Sequence, residues 1–244
     1  MMAADEFKRL RVLLQTFEPE NLQLLDDENL EWLPRLRSIQ PSMVVKCILK
    51  ALKVFDKVAH RLQGIAWIRC WLMPFDEQRN WVFYRVTEKP TLQGCNEALI
   101  RMTTALKRLN DDASEVPQAW VVRGSAVYAC LLVEWRKDQS VERYAVYVSM
   151  WTVQPLFAVT CSTNISRRIQ EVLQFAFGSV NLLFREIRGS PEVALNRALS
   201  TLSTLSQFSA EVQGQRYPIA DQQPWESFAV GSHGEQLSSV PGAT

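Results

Sequence analysis

The 244 residues are 47% hydrophobic and 22% charged, with a formal net charge of +1, so the chain can bury a sizeable core and still keep charge at its surface. That balance excludes a uniformly basic polyanion binder, and any basic surface must be local. It also argues against a disulfide scaffold, because Cys47, Cys70, Cys95, Cys130 and Cys161 stand far apart inside apolar runs, where thiols behave as small buried hydrophobes.

Residues 4–17 place Phe7, Leu10, Leu14 and Phe17 at helical spacing among charges, which predicts a first amphipathic helix. Pro19 after Glu18 interrupts it. Short clusters at 22–25 and 30–33 read as further short helices, bounded by Asp26, Asp27 and Pro34. Pro41 and Ser42 then launch a helix predicted to run to about residue 62, with Ser42 as its N-cap. Val44, Ile48, Ala51, Leu52, Phe55, Ala59 and Leu62 share one side of it; Lys46, Lys50, Lys53, Lys57 and Arg61 share the other.

Residues 65–86 are rich in tryptophan (Trp67, Trp71, Trp81) and broken by Pro74, which gives a helix and then an unassigned segment. A helical period returns over 92–109 through Ala98, Leu99, Met102, Ala105 and Leu106, and Asn110, Asp111 and Asp112 stop it. After Pro117 the texture becomes β-branched and aromatic over 120–135, 144–151 and 156–161. Polar turn material at 136–142 and 152–155 separates these runs, so they are expected to pair as an antiparallel meander. Asn164 or Ser166 caps a helix through Phe177 that Gly178 closes, residues 180–187 read as a strand, and Ser190-Pro191 opens a last helix to about residue 208. The expected organisation is α+β: a helical domain over 1–88, an antiparallel-sheet domain flanked by helices over 89–208, and a flexible polar tail over 209–244.

Catalytic chemistry finds little to work with. His60 and His233 are the only histidines, too few for a metal site or a nucleophile relay. The nine glycines form no phosphate-binding loop or nucleophile elbow. Asp26-Asp27 and Asp111-Asp112 sit on polar connectors and read as turn and cap residues. No basic and then apolar run opens the chain, and no apolar stretch is long enough for a bilayer, so the expectation is a non-enzymatic protein of cytosol or nucleus without cofactor or metal.

Four charge clusters could bind a partner. The stripe of Lys46, Lys50 and Lys53 can neutralise phosphates, and it serves equally as a solvated face. Arg136, Lys137 and Arg143 bracket a turn and would project from a hairpin tip, or simply protect a sheet edge. Arg35 and Arg37 lie between two prolines, and the first helix mixes Asp5, Glu6, Lys8, Arg9 and Arg11. Acids beside bases suit a protein partner, since a carboxylate accepts bidentate bonds from arginine while neighbouring cations seek phosphate.

These residues carry a resemblance. Glu6-Phe7, then Lys8-Arg9 and Leu13-Leu14, are similar to the opening helix of the centromere protein N family of inner-kinetochore proteins. Ala119-Trp120-Val121, Glu134-Trp135, the run from Tyr144 to Ser149, the run from Leu156 to Thr160, and Arg167-Arg168 follow in that family's order. The resemblance covers roughly residues 4–205 and implies a pyrin-like helical bundle followed by the sheet domain. It implies a reader of the centromeric nucleosome, located in the nucleus at the kinetochore, with a histone H3 variant and DNA as partners, together with centromere protein L and other inner-kinetochore subunits. Asp5, Glu6 and Arg9 would face a histone loop, while Arg35, Arg37, Lys137 and Arg143 would grip DNA phosphates. The other reading is a general protein-interaction module whose charge clusters are solvation.

Overall fold

The computed structural model describes residues 2–28, 30–109, 116–137, 140–161, 166–178 and 180–214. Among these the chain forms seven α-helices and one six-stranded antiparallel sheet. The helices are α1 (Met2–Leu14), α2 (Pro19–Gln23), α3 (Val44–Lys53), α4 (Val58–Leu72), α5 (Leu92–Leu109), α6 (Ser166–Phe177) and α7 (Pro191–Gly214). The strands are β1 (Asn80–Val86), β2 (Gln118–Arg123), β3 (Ala126–Lys137), β4 (Ser140–Trp151), β5 (Leu156–Thr160) and β6 (Val180–Arg188), in the spatial order β2-β3-β4-β5-β1-β6. The expected meander is therefore present from β2 to β5.

Alternation along the strands builds two cores. Along β3, Ala126, Tyr128, Cys130 and Leu132 meet α1, α3, α4 and α7 on one face. Val127, Ala129, Leu131 and Val133 meet α5 and α6 on the other. Because both faces of β3 are covered, its residues 126–133 read as a nearly continuous apolar run. Trp71, Trp81, Phe83, Tyr128 and Phe157 are fully buried, each contributing roughly 2–3 kcal/mol of apolar burial. Phe83 stacks on Trp151, and Tyr84, Phe157 and Phe177 stack in series through the second core.

Several expectations change, among them the N-cap at Ser42, which lies in a 3-10 turn while Met43 is the N-cap of α3. The helix expected over 42–62 is two helices, α3 and α4, broken after Lys53. Arg61 donates to the carbonyls of Phe55 and, at 3.1 Å, of Asp56, groups that a continuous helix would have spent on its own N–H donors. Gly64 then lets α4 fold back on α3, since a Cβ there would lie 2.7 Å from Leu52. The run over 120–135 is a hairpin, not one strand: Gly124, at φ +58, and Ser125 turn β2 into β3. The turn expected over 136–142 is shorter, because β3 and β4 pair as far as Lys137↔Ser140.

The segment left unassigned before residue 86 is β1, which lies inside the sheet between β5 and β6. Residues Met1–Leu202 form one compact unit, and β1, which falls in the range 1–88 expected to be a helical domain, is part of the sheet. Residues from Ser203 onward form a second unit, of which α7 is described as far as Gly214, past the expected end at 208. No proline interrupts residues 192–214. The remainder of the expected tail, and the stop at Asn110, Asp111 and Asp112, lie outside the described residues.

Candidate functional site

The cations of the helical layer come from two segments that folding sets side by side. On α3, Val44, Ile48, Ala51 and Leu52 are buried, while Lys46, Lys50 and Lys53 are exposed at the i, i+4, i+7 spacing of one helical stripe. No carboxylate occurs within α3. The helix α1 packs against α3, and Lys53 Nζ lies 6.0 Å from the centre of the Phe7 ring, a cation–π distance. Lys8 and Arg11 are exposed on that adjoining helix. Lys57 and Arg61 leave the stripe, because they belong to α4 and its N-cap.

Arg35 and Arg37 stand on a short 3-10 turn, Leu36–Ser38. Asp26 builds that turn: its two carboxylate oxygens accept the backbone N–H groups of Leu36 at 2.7 Å and Arg37 at 2.8 Å. Arg37 pairs with Asp27 at 2.7 Å with both side chains more than half exposed. Both arginines line a cleft of about 830 Å³ that also holds Asp26, Asp27 and Glu31. This corner is mixed in sign, unlike α3.

A second set of charges is buried where the helical layer meets the sheet. Glu6 is only 3% exposed and Arg69 7%. Arg69 donates to Glu6 at 3.4 Å and to the Tyr147 hydroxyl at 3.0 Å. Arg9 reaches Glu6 at 3.5 Å and donates to the backbone carbonyl of Arg143. Arg143 is itself buried and ion-paired with Glu134 on β3. Arg79, paired with Asp76 at 2.8 Å, places its guanidinium carbon 3.5 Å from the centre of the Tyr147 ring. Burial is the largest single influence on Arg69 and works against its charge, but Tyr147, Cys130 and Glu6 together outweigh it and hold the guanidinium above its ordinary pKa.

The expected site residues therefore divide. Lys8, Arg11, Lys46, Lys50 and Lys53 are brought onto adjoining helices, Arg35 and Arg37 are exposed nearby in sequence on their own turn, and Asp5 is exposed at the start of α1. Arg9 is half exposed. Glu6 and Arg143 are not outward-facing: each is buried in the interface described above, so Arg143 does not project from the hairpin tip. The side chains of Arg136 and Lys137 lie outside the described residues. Sequence reading passed over Arg69, Arg79 and Tyr147. The available signal was Arg69, a lone charge in the otherwise apolar run from Ile65 to Leu72.

Burial disfavours the thiolate at four of the five cysteines. Burial pushes Cys130 up to about 12 and Cys95 and Cys161 up to about 11, and raises Cys70 well above its usual range. All five cysteines are free; Cys47 and Cys161 are half-buried rather than fully buried as expected. Among the described residues no group of three His, Cys, Asp or Glu side chains is placed to hold a metal, and no helix is long and apolar enough to cross a membrane. No family model matches the chain, and no curated protein matches it.

Proposed function

We propose that the protein is a non-enzymatic reader of the centromeric nucleosome at the kinetochore, in which the α1–α3 surface follows DNA phosphates and the start of α1 contacts a histone loop. The observation that supports the reading is that α1, with exposed Lys8 and Arg11, packs against α3, with exposed Lys46, Lys50 and Lys53 and no carboxylate to neutralise the stripe. Regularly spaced cations of this kind release counterions from duplex DNA and supply affinity without reading sequence.

Selectivity belongs to α1 in this proposal. Asp5 and Arg9 are the outward groups available to a histone loop, and Glu6, held between Arg9 and Arg69, is a positioning residue that fixes where the Arg9 side chain starts. The pyrin-like character of the helical layer, and a partnership with centromere protein L and other inner-kinetochore subunits, form part of the same proposal through the resemblance.

The test is the salt dependence of nucleosome binding. Each phosphate contact adds about 0.9 to the slope of log affinity against log salt, so Lys46→Glu with Lys50→Glu should flatten the slope by nearly twice that amount and weaken binding to variant and ordinary nucleosomes alike. Asp5→Asn should instead reduce the preference for the variant nucleosome and leave the slope unchanged. A folded double lysine variant that binds with unaltered affinity and slope overturns the reading.

A further inference from the structure

The two edges of the sheet are finished differently. At one edge, β6 is bent: its register against β1 shifts between Trp81 and Phe83 and again between Phe83 and Tyr84, and Glu186 adopts φ +62. Bulges of this kind turn an edge away from further pairing. At the other edge, β2 keeps an unbroken register with β3, from Gln118↔Leu131 to Arg123↔Ala126.

Which backbone groups of β2 point outward follows from the pairing. Alternate residues of an antiparallel strand direct both N–H and C=O toward the partner or away from it. The Leu132 N–H donates to the Pro117 carbonyl at 2.8 Å, so the odd-numbered residues face β3, and Gln118, Trp120 and Val122 face away. Gln63 on α4 supports this independently. Its side-chain amide donates to the Gln118 carbonyl, and its Oε1 accepts the Gln118 N–H at 3.3 Å. One side chain thus makes both bonds that a residue of a seventh strand would make.

At Trp120 and Val122 no described side chain does the same. Their side chains are 44% and 43% exposed. The Gln118–Trp120 end of the strand lies along a cleft of about 490 Å³ walled by Gln63 and Trp67 of α4 and by Thr103 and Lys107 of α5. An edge set between two helices admits one extended segment and resists a second copy, whose own edge is recessed in the same way. Lys107 is exposed on the rim. Arg123, at the far end, is already engaged by Glu28 at 3.9 Å and by the Trp71 and Phe75 rings, which leaves Lys107 as the charge that the described residues of the cleft present to an incoming chain.

We propose that β2 is a docking edge for an extended acidic segment of a partner protein, which adds as a seventh strand by bonding the backbones of Trp120 and Val122. One of its apolar side chains covers Trp120 and a carboxylate meets Lys107. Main-chain bonds supply most of the affinity in such an addition, and the alternate side chains supply the choice of partner. This surface uses none of the residues assigned to DNA or histone contact, so the two proposals stand or fall separately.

The probe is a fluorescein-labelled decapeptide of alternating valine and aspartate, used with the full chain. Its lysine analogue and a version N-methylated on the amides of one edge serve as comparisons. The aspartate peptide should bind at least tenfold more tightly than the lysine analogue, and binding should slow amide exchange at Trp120 and Val122 by at least tenfold. N-methylation of the pairing edge should abolish binding. Lys107→Glu, an exposed change with no fold to disturb, should reverse the aspartate preference; Val122→Pro removes one outward donor at an edge position where proline is tolerated and should abolish binding. Should Val122→Pro fail to fold, the N-methylated peptide makes the same test on the unaltered protein. Absence of binding, equal binding of the lysine analogue, or binding without protection at Trp120 and Val122 overturns the proposal. So does a chain that sediments as a dimer and is dissociated by Trp120→Arg, since the occupant is then a second copy.

Discussion

Replacing Glu6 by leucine should be among the most destabilising single changes on α1. The carboxylate and the Arg69 guanidinium are both under a tenth exposed and 3.4 Å apart, so Glu6→Leu leaves a buried cation with the Tyr147 hydroxyl as its nearest compensation. Breaking a buried pair from one side costs about 3–5 kcal/mol, a large part of the ~5–15 kcal/mol that holds a domain folded. The loss of Arg9 from the same carboxylate adds little, because that side chain is half in water. Arg69→Met should cost a similar amount from the other side. The double variant should recover most of the loss, with a coupling of at least ~2 kcal/mol, because two apolar groups of similar length need no compensation. Urea unfolding followed by tryptophan emission measures each term, with the slope against urea checked for constancy. Two single variants that each cost under ~1 kcal/mol, and whose costs simply add, would refute the assignment of this pair as a buried clasp between α1 and α4.

Alkaline pH should loosen the fold through its thiols. Their folded pKa values lie above the ordinary 9.0, so the unfolded chain loses these protons first and the stability held below pH 9 is lost as pH rises toward about 12 for Cys130. The fully buried Cys130 accounts for on the order of 1 kcal/mol per pH unit in that window, and Cys130→Ala should flatten the dependence of the urea midpoint on pH by that amount. Gly64→Ala should lower the melting temperature, at a cost of about 1–2 kcal/mol, because its Cβ would press within 2.7 Å of the buried Leu52; an unchanged melt would show that α3 and α4 separate freely. Glu186→Gly should raise stability by roughly 0.5–1 kcal/mol by relieving a left-handed backbone at φ +62, and a loss of stability there would mean that the Glu186 side chain does more than occupy the bulge.

Elements whose signals are local were legible in the residues. Helix α5 was visible in its apolar period and α6 in its closing Gly178, which sits at φ +71 and donates to the Gln174 carbonyl at 2.9 Å. The lysine stripe of α3 follows from periodicity alone. What escaped depends on partners distant in the chain. The break between α3 and α4 is made by Arg61 reaching back to two carbonyls and by Gly64 meeting Leu52, neither of which appears in a helical period. Gly124 was passed over, although Arg123 and Ser125 flank it, because the apolar runs 119–122 and 126–133 on either side read together as one strand. Glu6 and Arg143 read as surface charges because the residues that enclose them, Arg69, Tyr147 and Glu134, are recognisable as partners only once α4, β3 and β4 have come together.

The place of β1 in the sheet sets an order of events for synthesis. It emerges early, with Asn80–Val86, yet both strands that flank it, Leu156–Thr160 and Val180–Arg188, come late. A growing chain must therefore carry an unpaired strand holding Trp81, Phe83 and Tyr84 until more than seventy further residues have been added, an interval in which that segment is open to capture by a chaperone or by another nascent chain.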